Sequence, residues 1–254
     1  MKKIALLLAV ALSSAACFAQ VNKSELKQLQ NFLAQPAEKG GTNAEALKIT
    51  NVKDPSTWEG VTVVGNNVTE IKWKDKKIAG TLDLSGFKAL RTVDVSRNAL
   101  SGVTFNGDPV LADVNVSRNK LTEVDLSDCP MLSKVAINNN RLTEFEISDV
   151  PAIKSLNIAS NLLAELDLRA SSTLETLNCQ SNHLESLSVT DCTALKNLYA
   201  GYNKLTSLNL VGTTNLQNLN LDSNRMANMI VSNLPSLATF LCTCLLSPSD
   251  AADD

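Results

Sequence analysis

The stretch LADVNVSRNKLTEVDLS, residues 111–127, alternates apolar and polar residues on both sides of one amide, Asn119. The amide recurs at intervals of 21 residues, at Asn98, Asn119, Asn140, Asn161, Asn182, Asn203 and Asn224. Self-similarity at a short fixed period is typical of solenoids, in which every repeat forms one turn of a coil. The stretch therefore predicts a stack of equivalent turns.

The residues around the asparagine keep one register in every unit. We number each unit from its first apolar residue, which places the asparagine at slot nine; the full units begin at Leu90, Leu111, Leu132, Ile153, Leu174, Leu195 and Leu216. Slots four, six, eleven, fourteen and sixteen are apolar. Slots four and six alternate with polar residues, which predicts a short strand with one face inward, and such strands stack in parallel. Slots fourteen and sixteen predict a second extended segment on the opposite wall.

The asparagine has a structural explanation. Where the chain leaves the strand it turns through the interior, and backbone groups in a buried turn need hydrogen-bond partners. A carboxamide has donors and an acceptor, so we expect each asparagine to bond the turn of its own unit and the next one. We interpret the recurring asparagines as a structural ladder and not as catalytic groups.

The units LETLNCQSNHL (174–184) and LQNLNLDSNRM (216–226) follow the pattern LxxLxLxxNxL. This pattern resembles the leucine-rich repeat family. The 21-residue length and the second apolar pair, as in LTEVDLS, are similar to the bacterial secreted, internalin-like members. The resemblance implies a β-rich solenoid, a curved right-handed coil with a parallel β-sheet on one face and a small helical N-terminal cap. It also implies protein–protein interaction, often at a bacterial cell surface.

Residues 20–67 break the period and predict the N-terminal cap. The segment KSELKQLQNFLAQ predicts a helix with Ser24 as its N-cap, and TNAEALKIT predicts a second short helix. The pair Asn66–Asn67 predicts the turn of a hairpin. The cap is expected to cover the first apolar layer of the stack.

The repeat region is divided into three parts. Residues 68–89 form an imperfect first repeat, with Lys77 where the asparagine is expected. Seven 21-residue repeats follow over residues 90–236. Residues 237–254 hold a partial eighth repeat and an acidic tail.

The first 19 residues read as a secretory signal peptide. Lys2 and Lys3 precede an apolar stretch that is too short to span a bilayer, and small residues follow it. We therefore expect an exported protein that is extracellular, periplasmic or associated with the cell surface. A lipid on Cys17 is the alternative, which Ser14 disfavours because an apolar residue is preferred there.

The charge of the chain argues against nucleic acid as a partner. Removal of residues 1–19 changes the formal charge from −3 to −5, with 21 basic and 26 acidic residues left. An acidic chain gains nothing from counterion release on phosphates.

The sequence offers no catalytic constellation, metal site or cofactor motif. Its one histidine, His183, occupies slot ten, where other units have Lys or Arg, and no partner for a general base is evident. The cysteines after the signal have spacings that fit neither a disulfide framework nor a zinc site: Cys129, Cys179, Cys192, Cys242 and Cys244. We interpret the first four as buried thiols. An acidic column at slots thirteen and fifteen leaves calcium as an alternative to a solvated face: Glu123, Asp125, Glu144, Glu146, Glu165 and Asp167.

The outward face of the main sheet is the candidate binding surface, at slots three, five, seven and eight. Both tyrosines of the chain fall within one unit on it, and tyrosine is enriched at binding hot spots. The predicted contact residues are Tyr199, Tyr202, Asn178, Asn197 and Asn220.

These observations predict an exported, non-catalytic binding protein that recognises a protein through its outward sheet face. Asparagines beside tyrosines also suit sugar hydroxyls, so a carbohydrate- or cell-wall-binding module is an alternative. A structural spacer without a ligand is another.

Overall fold

A computed structural model describes residues 21–147, 150–169, 171–226 and 233–243. The predicted signal peptide with Cys17, and the acidic tail with Cys244, lie outside the described residues. Within the described ranges no helix is long and apolar enough to cross a bilayer.

The N-terminal part consists of two helices, a 3-10 turn and a hairpin. Its elements are α1 Lys23–Leu33, α2 Asn43–Ala46, the turn Pro55–Thr57, β1 Val61–Val64 and β2 Asn67–Lys72. Helix α1 turns an apolar face inward, with Leu29 and Phe32 fully buried. The second helix carries a capping box in which Thr42 and Glu45 exchange side chain-to-backbone bonds.

Two local predictions for this region are wrong. The N-cap of α1 is Asn22, whose Oδ1 accepts the N–H of Ser24 at 3.0 Å, because a capping side chain sits two residues before the N–H that it satisfies. The hairpin turn is Gly65–Asn66, since Val64 pairs with Asn67. Gly65 has a φ of 61°, which glycine adopts without a Cβ penalty.

The main sheet contains ten strands in the order β1-β2-β4-β6-β8-β9-β11-β13-β14-β15. From β2 onward all neighbours are parallel, and each pairs slot four of one unit with slot four of the next, as Leu177 does with Leu198. The strands after β2 are β4 Thr92–Asp94, β6 Asp113–Asn115, β8 Lys134–Ala136, β9 Ser155–Asn157, β11 Thr176–Asn178, β13 Asn197–Tyr199, β14 Asn218–Asn220 and β15 Thr239–Leu241. The rungs therefore lie side by side, and the predicted parallel-sheet solenoid is confirmed.

The opposite wall also contains strands, as slots fourteen and sixteen predict. One sheet joins β3 Ala79–Asp83, β5 Ala99–Thr104 and β7 Glu123–Asp125, and another joins β10 Glu165–Asp167 to β12 Ser186–Ser188. Residues 144–146 between the two sheets form no strand. The second wall is therefore discontinuous where the main sheet is not.

The imperfect first repeat is registered one residue away from its predicted alignment. Because Ile71 pairs with Val93, Lys76 and not Lys77 stands opposite Asn98 at slot nine. Asn98 serves this unit instead, as its Oδ1 accepts the N–H of Lys76 at 2.9 Å and of Ile78 at 3.3 Å.

The core runs without a break from the cap through the stack. Trp73 is fully buried at the junction, with its ring 5.9 Å from Phe32 in a stacked arrangement and 6.5 Å from Trp58. Its Nε1 donates to the carbonyl of Glu59 at 3.2 Å. At the last described strand, Phe240 and Leu241 of β15 are 40% and 44% exposed.

Candidate interaction surface

The asparagine ladder lies in the interior turns that follow the strands of the main sheet. Asn161 is representative: its Oδ1 accepts the N–H of Leu142 at 3.1 Å, and its Nδ2 donates to Ile158 at 3.0 Å and Ile137 at 3.2 Å. The same three bonds recur at Asn119, Asn140, Asn182, Asn203 and Asn224. Each amide thus bonds its own unit and the preceding one. The expectation that it bonds the next unit is wrong, because the turn brings the side chain back over the rung already laid down.

The ladder is largely inaccessible to a ligand. Five of its members are buried, and Asn98 and Asn119, nearer the cap, are partly buried. Both Oδ1 and Nδ2 of Asn161 are engaged in hydrogen bonds, so these side chains serve the fold.

The outer face of the main sheet has two halves that differ in charge. Slots three, five and seven of the first half carry Glu70, Lys72, Lys74, Asp94, Asp113 and Lys134. The same slots from β9 to β14 carry neither Asp, Glu, Lys nor Arg until Asp222 is reached. We call this second half the amide face, and its residues are Ser155, Asn157, Ala159, Thr176, Asn178, Gln180, Asn197, Tyr199, Gly201, Asn218 and Asn220.

Slot-five asparagines on the amide face are fixed by their own backbones. The Oδ1 atoms of Asn157, Asn178 and Asn220 accept the N–H two residues later, at 3.3, 3.2 and 2.9 Å. This bond is the usual one of an Asx turn. Among the described residues their Nδ2 groups have no hydrogen-bond partner, so a row of oriented donors faces outward.

Slot three forms a second fixed row. Asn218 Nδ2 donates to Asn197 Oδ1 at 2.7 Å, and Asn197 Nδ2 donates to Thr176 Oγ1 at 3.1 Å. Both Oδ1 and Nδ2 of Asn197, a predicted contact residue, are therefore engaged in hydrogen bonds, and Asn197 orients the side chains on either side of it.

Four of the five predicted contact residues come together on neighbouring strands. Asn178, Tyr199 and Asn220 are paired across β11, β13 and β14, and Asn197 lies on β13 itself. Tyr202, at slot eight, lies beyond the end of the strand in a left-handed turn with a φ of 57°. It is 61% exposed at the edge of the amide face.

The sequence reading missed two residues of this surface, Gly201 and Gln180. A Cβ on Gly201 would lie 2.9 Å from Asn220 Oδ1 and 3.5 Å from Gln180 Nε2, so the absent side chain makes room for both amides. Gly201 is the only glycine between residues 108 and 211, and this isolated position is the feature of the sequence that could have indicated a close approach of neighbouring side chains.

The acidic column on the opposite wall has a structural use at two positions. Asp125 Oδ1 accepts the N–H of Ser127 at 2.9 Å, and Asp167 Oδ1 accepts that of Arg169 at 3.1 Å. Hydrogen bonds from Ser127 lower the pKa of Asp125, and the Arg169 side chain lowers that of Asp167. Across the described part of the chain, no group of three His, Cys, Asp or Glu residues is placed to hold a metal ion, so the calcium alternative gains no support.

The remaining candidates for chemistry are isolated. His183 is exposed, and its side chain has no hydrogen bond with any described residue. Cys129, Cys179 and Cys192 are buried thiols without disulfides, whereas Cys242, which was also predicted to be buried, is only partly buried. Sγ of Cys129 donates to Phe105 O at 3.2 Å, and Sγ of Cys192 donates to Leu168 O at 3.1 Å.

We expect the three buried thiols to resist alkylation in the native protein. Burial raises the pKa of Cys129 to about 11 and that of Cys179 to about 12, and it raises that of Cys192. Because the thiolate is the nucleophile, labelling by iodoacetamide near neutral pH should be slower than in denaturant by on the order of hundredfold or more. Peptide mapping by mass spectrometry measures each site, and equal rates in both conditions would contradict the burial described.

Comparisons with known proteins identify the fold. No protein-family model matches the chain, and no curated protein sequence matches it. Among solved structures, the leucine-rich effector protein YopM from Yersinia pestis is 24% identical with a TM-score of 0.55, covering 64% of this chain and 48% of its own. The leucine-rich repeat domain of LRIM1 is 21% identical with a TM-score of 0.56, covering 65% of this chain and 55% of its own.

A third similar structure is the functional domain of InlJ from Listeria monocytogenes, 22% identical with a TM-score of 0.47, covering 70% of this chain and 46% of its own. The chain spans about half the length of each of these three solved structures. Its fold is the leucine-rich repeat solenoid, as the sequence resemblance implies.

Proposed function

From the leucine-rich repeat fold we propose that this chain is an exported, non-catalytic binding module whose amide face takes a protein partner. The observation that carries the proposal is the uncharged run from β9 to β14, where side-chain donors are held in fixed orientations beside an exposed tyrosine. Preformed surfaces lose little conformational entropy on binding, which favours affinity.

The amide face has the chemistry of a recognition surface. Its free Nδ2 groups at Asn157, Asn178 and Asn220 seek acceptors such as backbone carbonyls. Tyr199 in the centre and Tyr202 at the edge supply large, stiff contact area. Polar groups with fixed orientation confer specificity, and aromatic anchors provide most of the binding free energy.

Replacement of Tyr199 and Tyr202 together by alanine tests the site. We expect the double variant to lose at least about 2 kcal/mol of binding free energy, which is about thirtyfold in Kd. The immobilised protein would be exposed to a mixture of extracellular proteins, with retained proteins quantified by mass spectrometry and Kd then measured for each purified binder.

The matched control replaces Arg97 and Arg118 together by alanine. These two residues occupy the same slot as Tyr202 in the charged half of the sheet. This variant should keep the affinity within about threefold, because exposed charges outside an interface contribute little. Binding through the amide face should also change little between low and high salt, since no formal charge lies on it. Equal loss in both variants, or a steep salt dependence, would reject the amide face as the site.

A neutral glycan is the second candidate ligand, favoured by the same row of Nδ2 donors beside tyrosine. Sugar hydroxyls accept and donate hydrogen bonds, and an aromatic ring packs on the apolar face of a sugar. A glycan array probed with wild type and with the Tyr199 and Tyr202 double variant separates the candidates. Retention of uncharged glycans by wild type alone would support this ligand class. If no glycan on the array is bound, the glycan candidate is rejected and the proposal of a protein partner stands.

A further inference from the structure

Two carboxyl groups are buried at the junction of the N-terminal cap and the solenoid. Glu25 of α1 is 1% exposed and Asp108 is fully buried. Glu25 Oε1 and Asp108 Oδ2 are the only buried side-chain nitrogen or oxygen atoms without a hydrogen-bond partner in the described part of the chain. A buried polar atom without a partner is rare in a folded protein and points to a special role.

Glu25 ties the cap helix to the first strand of the stack. Its Oε2 accepts the N–H of Val68 in β2 at 2.8 Å. The bond joins residues 43 positions apart in sequence, so it forms only when α1 is docked. Its second oxygen, Oε1, is left without a partner in this contact.

Asp108 holds the segment on which the cap rests. It occupies an interior column in which the equivalent residues of the neighbouring units are Phe87 and Cys129, both fully buried. Asp108 Oδ1 accepts the N–H of Phe87 at 2.6 Å. Gln28 of α1 reaches the same segment, donating from Nε2 to the carbonyl of Ser85 at 3.0 Å.

The ionisable groups that act on Asp108 are all acids. They are Glu25 of α1, Asp83 of β3 and the thiol of Cys129 in the next unit. No salt bridge of the described residues includes Glu25 or Asp108. A carboxylate at this position would be buried without a cation, and burial of an unpaired charge is far more unfavourable than burial of the neutral acid.

We propose that Glu25 and Asp108 form a proton-dependent latch, which holds the N-terminal cap against the solenoid while both carboxyls are protonated and loosens it when they ionise. The latch lies apart from the amide face and does not depend on any ligand there. Its physical basis is that each of the two buried carboxyls has one oxygen without a partner. Burial of such a group costs less free energy when it is protonated than when it is ionised.

The direction of the pH effect follows from the buried acids. Burial, with smaller contributions from Glu25 and Asp83, raises the pKa of Asp108 from 3.8 to about 8, and burial raises that of Glu25. The latch requires that water reach Asp108 when α1 undocks, so that in the undocked state the group ionises near its ordinary value. Undocking therefore releases a proton between about pH 4 and pH 8, and the stabilisation that is complete below this window is lost as pH rises through it.

The two tryptophans of the chain report directly on this junction, since Trp58 and Trp73 both lie in the cap interface. The equilibrium constant for cap opening, measured by tryptophan fluorescence in mild denaturant, should rise about tenfold per pH unit between pH 4 and pH 8 and level off above. Hydrogen exchange of α1 amides should follow the same profile.

The variant Asp108→Asn isolates the latch. An amide retains the acceptor for the N–H of Phe87 but cannot ionise, so the slope of cap opening against pH should fall to the part that Glu25 contributes. Asp125→Asn is the matched control, as Asp125 is an exposed acid of a later unit; it should leave the wild-type slope unchanged above pH 4.

The infrared band of protonated carboxyl groups gives a second readout in the wild-type protein. It should persist at neutral pH and disappear as pH rises through about 8. A flat opening profile in wild type, an unchanged slope in Asp108→Asn, or the absence of this band at neutral pH would each overturn the proposal.

Discussion

Replacement of Asn182 by alanine should lower the free energy of unfolding by about 3–5 kcal/mol, because three buried backbone groups lose their partners and each unmet group costs about 1–3 kcal/mol. Asn182 Oδ1 accepts the N–H of Leu163 at 3.2 Å, and its Nδ2 donates to Ile158 at 3.1 Å and Cys179 at 3.0 Å. Alanine removes these bonds, together with a longer one from Nδ2 to the carbonyl of Gln180 at 3.4 Å, and leaves a space too confined for bulk water. Denaturant titration followed by circular dichroism measures the loss.

Asn178→Ala is the matched control for this prediction. Asn178 lies four residues away on the outer face and makes one side-chain bond, to the N–H of Gln180 at 3.2 Å. It is partly exposed, so water can replace the lost partner, and we expect a loss below about 1 kcal/mol. Similar losses of unfolding free energy in the two variants would mean that the interior position of an asparagine does not determine how much it stabilises the fold.

Replacement of Trp73 by alanine should destabilise the junction of cap and stack by about 3–5 kcal/mol, the range for deleting a large buried aromatic side chain. Trp73 is fully buried, stacks on Phe32 of α1 and donates to Glu59. Its loss leaves a cavity between α1 and the first rung. Circular dichroism gives the total loss, and hydrogen exchange should show reduced protection in α1.

Trp73→Phe is the control, since phenylalanine retains the ring stack on Phe32 and loses only the Nε1 bond and part of the volume. We expect it to recover more than half of the alanine loss. If protection of α1 stays at wild-type level in Trp73→Ala, the cap is held by other contacts and the prediction is wrong.

The fold was predictable because it repeats. An inward slot such as that of Leu177 is occupied by similar residues in every unit, so one periodic signal reports the strand, its register and its buried face. The ladder was predictable for the same reason. Its reach to the preceding turn was not, since spacing alone carries no direction along the coil.

Features that occur once escaped the sequence reading. Asn22 acts as the N-cap through a local bond that Ser24 could equally have served. Glu25 bonds Val68, 43 residues away, and Asp108 bonds Phe87 of the neighbouring unit. Nothing in their local pattern marks Glu25 and Asp108 as buried, because acids at the surface are the rule.

The candidate surface was predicted in part for a related reason. Strand alternation placed Asn178, Tyr199 and Asn220 on one face, but it could not show that slot eight turns into the left-handed region. Seven units share this turn with side chains as different as those of Arg97, Ser181 and Tyr202, so residue type gave no warning. The space that Gly201 leaves for Gln180 and Asn220 depends on the distance between neighbouring strands, which the residue pattern does not give.

Because each interior amide bonds the preceding rung, the rungs complete their hydrogen bonds in order from the amino end to the carboxyl end. A rung's last free N–H, such as that of Leu163, finds its acceptor only on the rung that follows. When the chain is synthesised from its amino terminus, the last rung to fold has an N–H without its side-chain acceptor. Folding of the next rung supplies that acceptor. Shortening from the carboxyl end leaves the N–H of the last rung without its side-chain acceptor. Shortening from the amino end leaves the Oδ1 and one Nδ2 hydrogen of the first remaining amide without their partners.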